Sequence, residues 1–162
     1  MKRKIIINAA RRATERGLPT GLHLNLTEGS PLSRATDIPS LLTTDGYFLG
    51  RESLRRSMHE GEIDPSHIER EARAQIEWFL EHHSQPTHVD EHHAIHVHPH
   101  VVPVLTPLLD TYCIAFVPVP SEPAVPFGYE IDPKRSKFID TVSKEAEVAR
   151  LFFQGTLFLS KI

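Results

Sequence analysis

Six of the eleven histidines lie between Thr87 and His100, in "THVDEHHAIHVHPH". Neutral imidazole is the commonest protein ligand for divalent metals, and a carboxylate two residues away serves as a further ligand or as the acceptor for a ring N–H. An extended backbone puts His88, Asp90 and His92 on one face; a helical one does the same for His88, His92 and His96. Either geometry converges three polar groups, so the segment predicts a metal or catalytic site, against the alternative of a solvated histidine-rich loop. A second signal stands far upstream in "TGLHLNLT", where Leu22, Leu24 and Leu26 alternate with His23 and Asn25. A lone histidine among leucines is ordinarily a satisfied structural residue. His23, however, stands on the polar face of a strand just before the turn residues "TEG", and parallel α/β folds gather their sites at the C-terminal ends of strands.

The elements that must position these residues follow from periodicity. Residues 4–17 suit an amphipathic helix capped by Gly17. Period-2 alternation then marks the strand that carries His23. Residues 28–50 read as a long loop with a small hairpin at Asp45-Gly46. A short helix over 51–59 is followed by a stronger one from Asp64, an N-cap with Pro65 at the first helical position, to about residue 83. In that region Glu60, Glu62, Asp64, Glu69 and Glu71 read as a solvated face with caps, and His82 and His83 meet the helix C-terminus, where the dipole favours them. "QPTHVD" is a short strand leading into the histidines, and a helix over about 99–111 is interrupted by Pro103 and Pro107. "YCIAFVPVP" reads as a buried strand with Cys113 as an apolar core residue. A last helix spans about 134–152. Strands alternating with helices argue for βαβ units and a parallel sheet or barrel.

Composition bounds the function classes. The 162 residues are 40% hydrophobic and 24% charged, with a formal charge of -3 that leaves no basic excess for phosphates. One domain over 1–162 is expected, with no nucleic-acid partner. The apolar run Ile5–Ile7 is too short for a signal peptide, and no window suggests a membrane span. The single cysteine forms no internal disulfide, and the expected location is cytoplasmic. No Gly-rich phosphate loop, G-x-S-x-G elbow or CxxC pair is present.

Taken together, "GLHLNLTEGSPL" and "PTHVDEHHAIHVHP" resemble the YdjC-like carbohydrate deacetylases, with the "DGYFLG" loop and the intervening helix completing a resemblance over roughly residues 8–118. It implies an α/β fold, here an incomplete (β/α) barrel-like deacetylase domain, and a metal-dependent removal of acetyl groups from N-acetylated sugars. It implies a divalent metal, Mg²⁺ in the family, held by an aspartate and two histidines. The metal-binding histidine of the G-x-H-x-x-L-T motif maps onto His23, and the first histidine after H-x-D-x maps onto His92. His88, Asp90 and His96 match neighbouring positions that support the ligands or touch substrate. The implied mechanism is attack of a metal-activated water on the acetamide carbonyl with a carboxylate base. The implied partner is a small carbohydrate, with a homodimer as an open alternative.

The departures from the family are specific. Its opening strand ends in Asp-Asp-Phe-Gly, which supplies a metal ligand and the base. That motif is absent here, so no catalytic base is assigned. The chain reads as truncated at both ends, beginning in the helix before the first histidine motif, and its last twenty or so residues match nothing in the family. Ala94 stands where histidine is common. Mg²⁺ is the expected metal, with Zn²⁺ or another transition metal as the alternative, which two histidines without the aspartate would tolerate better in an inactive relative. The alternatives are a catalytically inactive relative that still binds metal or sugar, and a histidine-rich metal-binding module; His93, His98 and His100 read as bystanders.

Overall fold

The computed structural model describes residues 11–13, 15–114, 117 and 133–152, the last stretch with side chains at 140–149. Residues 11–13 and 15 are helical, and Leu18 N–H reaches back to Ala13 O at 2.9 Å across Gly17, whose φ of 64° is the left-handed cap that glycine adopts without strain. The rest of the helix expected over 4–17 lies outside the described residues.

Strand β1, Leu22–Leu24, pairs in parallel with β2, Val89–Glu91, in the register Leu22↔Val89, His23↔Asp90, Leu24↔Glu91. Alternation decides the faces. Leu22, Leu24, Val89 and Glu91 are buried, whereas His23 and Asp90 point to the open side. Because the strands are parallel, Asn25–Glu28 and His92–His93 leave from the same end. The ladder runs further back, where Thr87 N–H donates to Thr20 O at 2.9 Å, although the strand within "QPTHVD" begins only at Val89.

Helices cover the buried face. Helix α1, Arg51–His59, buries Leu54 and Met58; α2, Pro65–His82, buries Ile68, Ala72, Ile76 and Phe79 at near-helical spacing. Asp64 caps α2 by accepting from Ser66 N–H at 2.8 Å, and the Ser66 hydroxyl, then that N–H, hold its carboxyl below the usual carboxylate range. The Asp45-Gly46 turn closes a minimal hairpin, with Leu42 and Phe48 bridged and Gly46 at φ 79°. Helix α3, Val102–Thr111, starts three residues later than expected because residues 98–101 first form a turn, closed by Val101 N–H to His98 O at 2.8 Å. Helix α4 is Pro133–Phe152.

Two expectations fail. Glu71 is fully buried rather than solvated, because it accepts from the main-chain N–H groups of Leu32 and Ser33 at 3.0 and 2.9 Å and from Gln75 Nε2 at 2.7 Å. Gln75 in turn behaves as a strand neighbour, bonding both Asn25 N and Asn25 O and so closing the end of β1. Cys113 is exposed at φ 54°, in a turn after α3, while Ile114 beside it is buried. Most of the strand expected in "YCIAFVPVP" lies outside the described residues. The α/β character holds, but among the described residues the sheet has two strands and closes no barrel. No helix among the described residues is long and apolar enough to cross a membrane.

Candidate metal centre

The open ends of β1 and β2 bring together residues that are 67 to 69 apart in the chain. His23 Nδ1 donates to Asp90 Oδ1 at 2.8 Å, with the two side chains 57% and 43% exposed. That bond fixes the tautomer and leaves Nε2 as the ring's lone pair, 3.3 Å from His92 Nδ1. If His92 donates there, its own Nε2 carries a lone pair, and this nitrogen lies 3.3 Å from Glu28 Oε2. A lone pair facing a carboxylate lacks one positive charge, either a proton or a cation.

His93 repeats the pattern. Thr27 Oγ1 is placed to donate to Asn25 Oδ1 at 3.3 Å and to receive His93 Nδ1–H at 3.1 Å, which leaves His93 Nε2 3.7 Å from Glu28 Oε1. Burial, and then the neighbouring His92, hold the His93 imidazole below its ordinary pKa and so toward the neutral, ligating form. One ligand atom each from Glu28, His92 and His93 fall within 4.8 Å of one another, a set that could hold a metal ion. The donor chemistry therefore fits a cation.

Local structure explains why these groups meet. Asn25 Oδ1 accepts from the N–H groups of Thr27 and Glu28, each at 3.0 Å, which turns the chain at the end of β1 and presents Glu28. After β2, His93 and Ala94 adopt φ of 67° and 53°, a left-handed pair that reverses the chain and sets the His92 and His93 ring centroids 3.9 Å apart at a 40° tilt. Glu91 secures that reversal from beneath by accepting from Ile95 N–H. Burial pushes the Glu91 carboxyl up to about 9, against the hydrogen bonds and the nearby Arg55 that pull it down, so it is protonated at neutral pH.

The predicted residues divide accordingly. His23, Asp90 and His92 are brought together. His88 packs its ring over Gly21, where an added Cβ would run into the imidazole, and it meets Thr87 Oγ1 at 3.0 Å. His96 is buried in the turn, outside the Glu28–His92–His93 group. Glu28 and His93 were missed: His93 reads as a bystander in sequence, and only the "NLTEG" turn signal hinted that Glu28 is presented to the strand ends. Beside the cluster an open groove of about 410 Å³ is lined by Glu28, Leu49, Gly50, Arg51, Glu52, Ser53 and His93.

The family model described as YdjC-like protein matches residues 5–156. The chain belongs to the YdjC-like family. The match runs beyond residues 8–118 at both ends, so most of the C-terminal stretch that resembled nothing in the sequence falls within it. A carbohydrate deacetylase of Danio rerio is 36% identical over 142 residues, covering 86% of this chain and 45% of that protein. A carbohydrate deacetylase of Geobacillus stearothermophilus is 39% identical over 113 residues, covering 69% of this chain and 43% of its own length. The chain thus spans rather less than half the length of these YdjC-like relatives. A crystal structure from Enterococcus faecalis V583, provisionally assigned to cellobiose-phosphate cleavage, superposes with a TM-score of 0.68 at 22% identity, over 94% of this chain and 50% of that one. This last likeness concerns the fold alone.

Proposed function

We propose that the chain carries the histidine half of a metal-dependent carbohydrate deacetylase centre, with His23 and His92 as metal ligands and Glu28 and His93 as ligands the fold adds. The observation that supports this most is the placement of His92 Nε2 and His93 Nε2 at 3.3 and 3.7 Å from the Glu28 carboxylate, where a cation would sit; His23, held by Asp90 behind His92, would join as a ligand by yielding its Nε2 contact with His92 to the ion. A bound metal would supply Lewis acidity, polarising an acetamide carbonyl and acidifying water. Asp90 orients His23 and raises its basicity, the usual outer partner of a ligating imidazole. Glu28 and His93 line both the cluster and the groove, so a sugar lying there would have its acetamide beside the ligands.

In this reading β1 and β2 are adjacent strands of a barrel-like domain, and His88 and His96 support the strand pair and the turn. A set of imidazoles with a single carboxylate suits Zn²⁺ or Ni²⁺ better than Mg²⁺, which prefers oxygen. Calorimetric titration of the 162-residue chain with each ion is expected to show binding that His92→Ala removes, with Zn²⁺ tighter than Mg²⁺. Equal binding in the two proteins would take His92 out of the site. Acetate release from N-acetylated chitobiose by this chain alone is expected to be slight, and robust release abolished by EDTA would sink that expectation.

A further inference from the structure

Arg55 and Glu145 line neither the cluster nor the groove, yet they are tied to the loop that carries His92 and His93. Arg55 comes from α1 and Glu145 from α4. Arg55 Nη1 donates to both Glu145 oxygens at 2.8 Å, and each side chain is only 12% exposed. Through Nη2 the same guanidinium reaches Ala94 O at 3.4 Å. His98 Nε2 stands 3.7 Å from the same carboxylate.

Ala94 is the second residue of the left-handed pair, and left-handed backbone is strained for a non-glycine residue because its Cβ crowds the following carbonyl oxygen. Such a turn persists only where its surroundings over-determine it. Here Glu91 holds Ile95 N–H on one side and Arg55 holds Ala94 O on the other. The guanidinium fork suits the task because one rigid group serves a carboxylate and a carbonyl together.

We infer that the buried Arg55–Glu145 pair is a positioning device: it clamps the left-handed His93–Ala94 turn and thereby sets the aim of the His92 and His93 imidazoles. Neither residue touches metal or substrate. Helix α4, distant in sequence, is on this view part of the apparatus of the site. The inference rests on the metal-centre reading above.

Co²⁺ serves as the probe because its absorption reports ligand geometry as well as affinity. The full chain is compared with Arg55→Lys, which keeps charge and loses the fork, with Glu145→Gln, which keeps size and loses charge, and with His92→Ala. Both clamp variants are expected to bind Co²⁺ about 10- to 100-fold more weakly with an altered spectrum, as disturbed outer partners of metal ligands do. Amide hydrogen exchange at Ala94 and Ile95 is expected to quicken while the core of α2 keeps its protection. Unchanged affinity and spectrum in both variants, with binding lost in His92→Ala, would overturn the positioning role and leave the metal centre standing. Equal Co²⁺ binding by wild type and His92→Ala would overturn the metal centre; exchange then decides the clamp, selective quickening supporting it and unchanged or evenly spread exchange overturning it. Should Arg55→Lys fail to fold, Glu145→Gln carries the same comparison.

Discussion

Two glutamates, Glu71 and Glu28, hold the same functional group in opposite circumstances. Glu71 lies wholly inside, with its oxygens met by two main-chain N–H groups and the Gln75 amide. Glu28 has a side chain 61% exposed, and its neighbours at 3.3 and 3.7 Å are imidazole nitrogens that need not carry protons. A carboxylate saturated with donors is structural, because every lone pair that water once served is served by the protein. A carboxylate facing further lone pairs is short of positive charge, and that deficit marks a place for a cation.

Removing each carboxylate is the sharpest way to break this contrast. Glu71→Ala strands two N–H groups and an amide in the core, and is expected to cost about 3–5 kcal/mol, comparable to breaking a buried ionic interaction. Glu28→Ala is expected to change stability by no more than about 0.5 kcal/mol, as exposed sites do, while weakening Zn²⁺ binding. Urea unfolding and calorimetry of both variants test the pair, and similar stability losses in the two would erase the distinction.

The histidines sharpen the same comparison through pH. His98 is held down to about 4, first by burial and then by Arg55, His100 and His59. The Glu145 carboxylate nearby would favour protonation, but it is already committed to Arg55. A folded-state pKa below the unfolded one means the unfolded chain binds more protons between the two. Stability therefore falls as pH drops from about 6.5 toward 4, by up to about 3 kcal/mol from this group. Unfolding free energy measured across that window should slope less steeply in His98→Gln, and an unchanged slope would remove His98 as its source.

A smaller effect than that of His98 concerns the strand pair beneath the open histidines. Gly21→Ala drives a methyl into the His88 ring, an overpacking cost of about 1 kcal/mol. His88→Ala removes the half-buried ring and should relieve most of it, so a double-mutant cycle ought to show coupling. Additive losses would mean that Gly21 is needed for its backbone alone.

Local patterns made much of the fold legible. Leucine alternation at Leu22, Leu24 and Leu26 gave β1 its buried face and its exposed histidine, and Asp64-Pro65 marked the start of α2 where the structure has it. The family resemblance was legible in two motifs for the same reason, since each is a contiguous run. Glu71 misled because an acidic residue on a helix ordinarily faces water, and two of its three donors, Leu32 and Ser33 N–H, come from a distant loop that helical periodicity does not foresee. His93 misled because its aim depends on a left-handed turn at two residues that are not glycine.

The sequence by itself determined which residues could ligate and which faces their strands would bury, because side-chain chemistry and strand period act over a few residues. Tertiary structure alone decided which of them meet. The parallel register sets His23 beside Asp90, the turn after β2 rotates His93 toward Glu28, and a helix some fifty residues downstream steadies that turn. These are contacts across long stretches of chain, formed when the apolar face of the strand pair is covered and every polar group caught beneath it must find a partner.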